Sequence, residues 1–386
     1  MIPRLPKPLL AAAALAALAA CATARPPAAA PCATGPCPDA TAPAATPPGA
    51  PPPAVAFAPE EVKVTPLDLE LAGKNDEELF AIGTAAYGAG DHARAAAAFA
   101  RLADLFPGSA REATALFNAG LAYQRLGEWR LALERFRALE RRYEGPDALE
   151  ATFKAAECLY HLEQLEDARA VLDGIAARPG LAPAERIRAL AQRGVVELEL
   201  GQPETAEKTL RGALAAWTAV GTRDQLDPYY AAQAQYYLGE TYRSWFLALR
   251  VDPSAGDEAR LQADLEHKSE MLLSAQGHYL RAIRMGDDRW AVASGFRIGE
   301  LYDALRAELL DAPLPPNLAG PEEQEAYRAQ LRERVRVLAT KAISAYEATL
   351  GRATRSGVED LRFLADAQAS LDRLRQALRD EAGAGI

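Results

Sequence analysis

Residues 79–107 read LFAIGTAAYGAGDHARAAAAFARLADLFP, and residues 116–146 read LFNAGLAYQRLGEWRLALERFRALERRYEGP. The second stretch repeats the pattern of the first. Leu79, Ile82 and Gly83 are answered by Leu116, Ala119 and Gly120. After a turn at Gly90-Asp91 or Gly127-Glu128, Ala95 and Phe99 are answered by Ala132 and Phe136, and Pro107 and Pro146 close the copies. Apolar residues at i, i+3, i+4 and i+7 put one buried stripe on each helix. Gly and Ala within the stripe let the partner helix come close, and the ring that follows the turn fills the remaining space. A single hairpin of this kind cannot bury its own apolar face, so the chain must supply stacked neighbours.

It does. Aligning on the turn Gly and the Ala after it places repeat starts at 76, 113, 149, 187, 232 and 292. The third repeat carries Ala156, Leu159, Ala168 and Leu172 without a turn Gly; the fourth carries Leu190, Gly194, Gly201, Ala206 and Leu210. In the fifth, Leu238, Gly239 and Tyr242 mark a first helix, but its partner around Ala275, Tyr279 and Ala282 comes late. In the sixth, Ile298, Gly299 and Tyr302 are answered only near Ala342 and Tyr346. The added residues are mostly helix formers, broken near Asp252-Pro253-Ser254 and Pro313–Pro321. This predicts elongated hairpins: one helix from about 228 to 250, its partner over 257–285, and a bundle roughly 30–45 Å along its longest helices. Ser356 and Glu359 have capping-box spacing before a last stripe of Leu361, Leu364, Leu371, Leu374 and Leu378. The expected fold is all-α: a superhelix of about six hairpins with elongated C-terminal hairpins and a capping helix. A lead-in segment occupies 61–75, four regular repeats 76–226, and the elongated hairpins with their cap 227–386.

The spacing of large, small and aromatic positions resembles the tetratricopeptide repeat, a helix–turn–helix unit of about 34 residues. That resemblance implies a superhelix whose first helices line a concave groove, with the fifth and ninth residues of each unit facing it. The fifth positions are Phe80, Phe117, Phe153, Ala191, Tyr236 and Phe296; Tyr87 and Tyr160 occupy neighbouring groove positions. Such a stripe would receive an extended or helical peptide, although an aromatic at this position also supports the adjoining repeat. Glu157, Glu240 and Glu300 at the ninth positions give the groove acidic character, which suits a partner segment carrying Lys or Arg.

The N-terminus carries an address. Arg4 and Lys7 precede an apolar run from Leu9 to Ala20, too short to span a bilayer, and Leu18-Ala19-Ala20-Cys21 ends it. This resembles the bacterial lipobox and implies a signal peptide over 1–21 with lipidation of Cys21. Ordinary secretion with cleavage after Ala22-Thr23-Ala24 is the alternative. Ala22 rather than Asp after the cysteine favours the outer membrane, facing the periplasm. Residues 22–60 hold 12 of the 27 prolines, a composition that reads as a disordered tether. Cys32 and Cys37 in the tether are either unpaired or close a small loop, and Cys158 sits at a helix-contacting position as a buried apolar residue.

Composition excludes several classes. With 53 acidic against 43 basic residues and a net charge of −10, the chain lacks the basic stripe that nucleic acid requires. His92, His161, His267 and His278 fall in different repeats or on long helices, and His267 with Glu270 offers no third metal ligand. No nucleophile motif or phosphate loop is present, so no catalytic residue, cofactor, metal or small-molecule substrate is expected. What remains is a surface for other envelope proteins, with the membrane reached only through the lipid anchor. The repeat spacing and the Leu105-Phe106-Pro107-Gly108-Ser109-Ala110 joint resemble envelope lipoproteins of outer-membrane assembly, secretion or pilus systems and gliding motility. A peptidoglycan-associated accessory or enzyme-like protein is the competing class.

Overall fold

Asn75 stops the lead-in and starts the repeats. In the computed structural model, which describes residues 65–383 apart from 221–225, 256, 319 and 360, its side chain accepts the Glu78 N–H at 2.9 Å. The Glu78 carboxylate accepts the Asn75 N–H in return, at 3.0 Å. This reciprocal cap satisfies two otherwise orphaned donors and opens α2 (Asp76–Gly88), after a short α1 (Pro66–Leu71). The expected signal peptide, Cys21, tether, Cys32 and Cys37 lie outside the described residues. All the helical hairpins belong to one compact unit that begins at Glu70.

Two helices make each hairpin: α2 with α3 (His92–Leu105), α4 (Glu112–Leu126) with α5 (Trp129–Arg142), α6 (Pro146–His161) with α7 (Leu165–Ala176), and α8 (Pro183–Glu199) with α9 (Pro203–Ala219). The last two pair α10 (Tyr229–Ala248) with α11 (Glu258–Arg284) and α12 (Asp288–Asp311) with α13 (Pro321–Ser356), and α14 (Leu361–Gly383) comes last. Each helix from α2 to α13 packs on its successor; α8, α10, α12 and α14 also touch in series. No strand occurs among the described residues. The fold is the all-α array expected.

The small residues lie at the crossings. A Cβ on Gly120 would stand 2.6 Å from the Phe136 ring, and one on Gly83 would stand 2.7 Å from Phe99. Gly239 and Gly299 are pressed in the same way by Tyr279 and Tyr346. The corresponding positions of the third hairpin hold Ala156 and Leu172, both buried. Gly90 and Gly127 turn the first two hairpins at φ of +80° and +77°, which an L side chain rarely adopts. Between hairpins, the buried Glu112 carboxylate accepts the Gly108 N–H at 2.6 Å and the Tyr143 hydroxyl at 2.9 Å, and pairs with Arg142.

The elongated hairpins are tied by a lysine. Lys268 of α11 is fully buried. Its Nζ donates to the carbonyls of Phe246 at 2.9 Å and Leu249 at 2.5 Å, at the C-terminal end of α10, and pairs with Glu308 of α12 at 2.8 Å. Glu308 also accepts the Val251 N–H at 3.1 Å. One cation thereby satisfies carbonyls left over at a helix end and holds three helices together. Trp290 of α12, also fully buried, meets Tyr229, Tyr236 and Tyr237 of α10 at centroid distances of 5.6, 5.1 and 5.9 Å.

Two expectations need correction. Ser356 and Glu359 make no capping box: Ser356 is the last residue of α13, where its hydroxyl donates to the Arg352 carbonyl, and Gly357 ends that helix at φ +67°. The final helix buries Leu371 and Leu374 of the expected stripe, joined by Phe363 and Ala367, while Leu364 and Leu378 are half-buried. The longest helix also exceeds the expected span. At 36 residues α13 is about 54 Å long, because its first turns, rich in Glu and Arg, continue past the buried stripe into solvent.

Candidate functional site

The ten residues assigned to the first-helix face divide into three groups. Phe80 and Phe117 are half-buried, each leaning edge-on against the ring behind it, Phe99 or Phe136, with centroids 5.7 Å apart. Tyr87 is half-buried, 5.2 Å from the His92 ring. In the first two hairpins, rings therefore reach solvent while their inner edges seal the crossing.

Further along, the stripe turns inward. Phe153, Tyr160, Tyr236 and Phe296 are all buried. The Arg188 guanidinium lies 3.9 Å above the Phe153 ring and pairs with Glu150. The Tyr160 hydroxyl donates to Glu199 at 3.3 Å. Phe296 meets Phe363 of the capping helix at 5.3 Å. These rings pack the array together.

The acidic positions behave differently from a free acidic groove. Glu157 is half-buried and holds Lys154 at 2.9 Å. Glu240 is buried, 3.1 Å from Arg297 and 3.5 Å from Arg243, and accepts the Tyr279 hydroxyl. Arg297 also pairs with Glu300 and donates to the Tyr236 hydroxyl at 3.2 Å. Burial pushes the Glu240 carboxyl upward, but Arg297 and Arg243 outweigh it and hold the group below the usual carboxylate range. Burial likewise opposes the charge of Arg297, and Glu240 more than restores it. Glu240 and Glu300 are matched from within, so the acidity expected to attract a basic partner is neutralised here. Arg188, Arg243 and Arg297 are the residues that reading the sequence by groove position missed. The i, i+3 spacing of Glu240 with Arg243 and of Arg297 with Glu300 was the available signal.

Cys158 is buried, and burial pushes its thiol up to about 12, away from nucleophilic reactivity. His267 and Glu270 stand 3.7 Å apart on an exposed face. Among the described residues no group of His, Cys, Asp and Glu side chains could hold a metal ion, and no helix is long and apolar enough to cross a membrane.

Models of the tetratricopeptide repeat match residues 79–109 and 117–182. No curated protein matches the chain. Among solved structures, the apo form of RapI is similar at 10% identity and a TM-score of 0.43, covering 79% of this chain and 99% of its own. The C-terminal part of a TPR repeat-containing protein from Cytophaga hutchinsonii shows 12% identity, a TM-score of 0.41, and 79% and 98% coverage. A tetratricopeptide repeat protein from Parabacteroides merdae shows 13%, 0.36, and 78% and 98%. Two tetratricopeptide repeat models thus cover the first three helical hairpins, over residues 79–109 and 117–182.

Proposed function

We propose that this chain is a non-catalytic, lipid-anchored scaffold of the cell envelope that binds partner proteins through the first-helix face of its repeats. The observation that carries this reading is the pair of half-exposed rings, Phe80 and Phe117, on successive first helices with Tyr87 beside them. Aromatic anchors presented in register on rigid helices suit an extended or helical segment of another protein. The anchor would be Cys21, with the folded part reaching into the periplasm from the outer membrane. Work in outer-membrane assembly, in a secretion or pilus system, or in gliding motility fits such a scaffold. A peptidoglycan-associated role is the alternative.

Replacing Phe80 and Phe117 together by Ala tests the surface. Partners co-purified from detergent-solubilised envelopes should be lost while the protein stays folded by circular dichroism. Undiminished co-purification with a folded variant would reject this face. Cys21→Ala tests the anchor: the protein should remain unprocessed or leave the membrane fraction. Normal processing with membrane retention would reject lipidation. Sedimentation of the purified protein with peptidoglycan, unaffected by the double Ala change, would favour the alternative.

A further inference from the structure

Between the second halves of α10 and α12, and closed by side chains of α13 and α14, lies a cleft of about 330 Å³. That is within the size range of small-ligand sites. Phe246, Leu247 and Leu301 give it an apolar wall. Four charged side chains also line it: Arg243, Glu300, Asp303 and Arg373. Three of them are hydrogen-bonded. Both terminal nitrogens of Arg373 donate to Asp303, and Glu300 accepts from Arg297.

Arg243 is the exception. Its nearest carboxylate oxygens, on Glu240 and Glu300, are 3.5 and 3.9 Å away, and it makes no hydrogen bond among the described residues. Its side chain is only 18% exposed. A guanidinium carries five N–H donors in a planar fork, and none of those on Arg243 is both sealed from water and unpartnered, so they stay accessible to an incoming acceptor. The two carboxylates nearby hold the charge but leave the donors open toward the cleft.

We propose that this cleft is a binding site for a monocarboxylate on a short apolar stem, with the carboxylate taken by Arg243 and the stem by Phe246, Leu247 and Leu301. A planar carboxylate matches the fork of one guanidinium. A more highly charged anion such as a phosphate would meet Glu300 and Asp303 on the same wall, and a cation would find both acids already paired. The site is separate from the rings of the first two hairpins, so its failure would leave the proposed docking face standing.

The experiment is titration calorimetry of the full-length protein in detergent with two pairs of probes. One pair is 4-phenylbutyrate and 4-phenylbutyramide; the other is N-acetyl-Ala-Leu with a free and with an amidated end. Each acid should bind at least tenfold more tightly than its amide. Preference for the first acid points to a free organic acid as the natural ligand, and preference for the second to a protein chain end. Arg243→Gln should lower acid affinity at least tenfold. Leu247→Glu, at a wall residue already 42% exposed, should do the same without removing a buried contact, which keeps the test valid should Arg243→Gln unfold. Equal binding of acid and amide, no binding of either acid, or unchanged affinity in a folded Leu247→Glu protein would overturn the proposal.

Discussion

At the crossing of the second hairpin, Gly120 faces the ring of Phe136; at that of the sixth, Gly299 faces the ring of Tyr346. The geometry is shared, but the chemistry around it differs. The early crossings are sealed by Phe, and their ion pairs lie mostly at the surface, as Arg135 with Asp104 at 2.5 Å shows. In the elongated hairpins the ring is Tyr, and a hydroxyl meets a buried polar partner: Tyr279 donates to Glu240. Lys268, Glu240, Arg297 and Arg306 are all buried there. A regular repeat is stabilised by neighbours on both sides. Longer helices outrun that stacking, and here their extra turns are joined by charged groups reaching between helices. One repeat grammar thus supports two kinds of interior.

The largest expected effect separates the two directly. Arg297→Met would leave the Glu240 carboxylate buried without its nearest counter-charge and should cost about 3–5 kcal/mol, read from urea unfolding. A loss no greater than that of a surface pair would erase the distinction between the two interiors.

Crossings come next. Gly120→Leu and Gly299→Leu should each cost about 1–3 kcal/mol by overpacking. Position 299 should be the more sensitive, because a Cβ there would stand closer to the Tyr346 ring than the 2.6 Å at which one on Gly120 would meet Phe136. Thermal melts that rank the two variants the other way would show that the closer approach at position 299 does not set the cost.

A smaller effect should appear with pH. His278 is buried, stacks on Tyr242 and bonds Gln235 at 2.9 Å. Burial lowers its pKa from 6.5 to about 4, helped by Arg281 and Arg211 against Glu207. The unfolded chain therefore binds a proton that the folded chain refuses between those values. Stability is full above 6.5 and falls as the pH drops toward 4, by on the order of 2 kcal/mol. His278→Gln should flatten the pH dependence within that window. Parallel curves for parent and variant would remove His278 as its source.

Smallest of all, Arg135→Met should cost under about 1 kcal/mol, because Asp104 is largely exposed and water replaces the pair. A loss near that of Arg297→Met would mean that the regular repeats also depend on charge.

Much of this was legible in the residues. The sequence placed a helix at about 228–250 and its partner at 257–285, and the structure has them at Tyr229–Ala248 and Glu258–Arg284. A helix declares itself locally, through a stripe every three or four residues. The placement of small residues at crossings was readable for the same reason, since Gly and Ala amid large neighbours mark a close approach. The first-helix face was legible only by position. Nothing within α6, α10 or α12 says that Phe153, Tyr236 and Phe296 are covered, because their cover comes from other helices: Arg188, Trp290 and Phe363.

By itself, then, the amino-acid order determined the helices, their pairing into hairpins and the elongation of the last two, because periodicity and turn chemistry act within a few residues. Tertiary structure alone decided which polar groups meet. Lys268 reads as one more charged residue on a long helix until the fold brings the Phe246 and Leu249 carbonyls and Glu308 to its ammonium. Glu240 reads as groove acidity until Arg297, 57 residues further along the chain, closes on it. The strength of a charge depends on what surrounds it, and for these residues the surroundings come from distant parts of the chain.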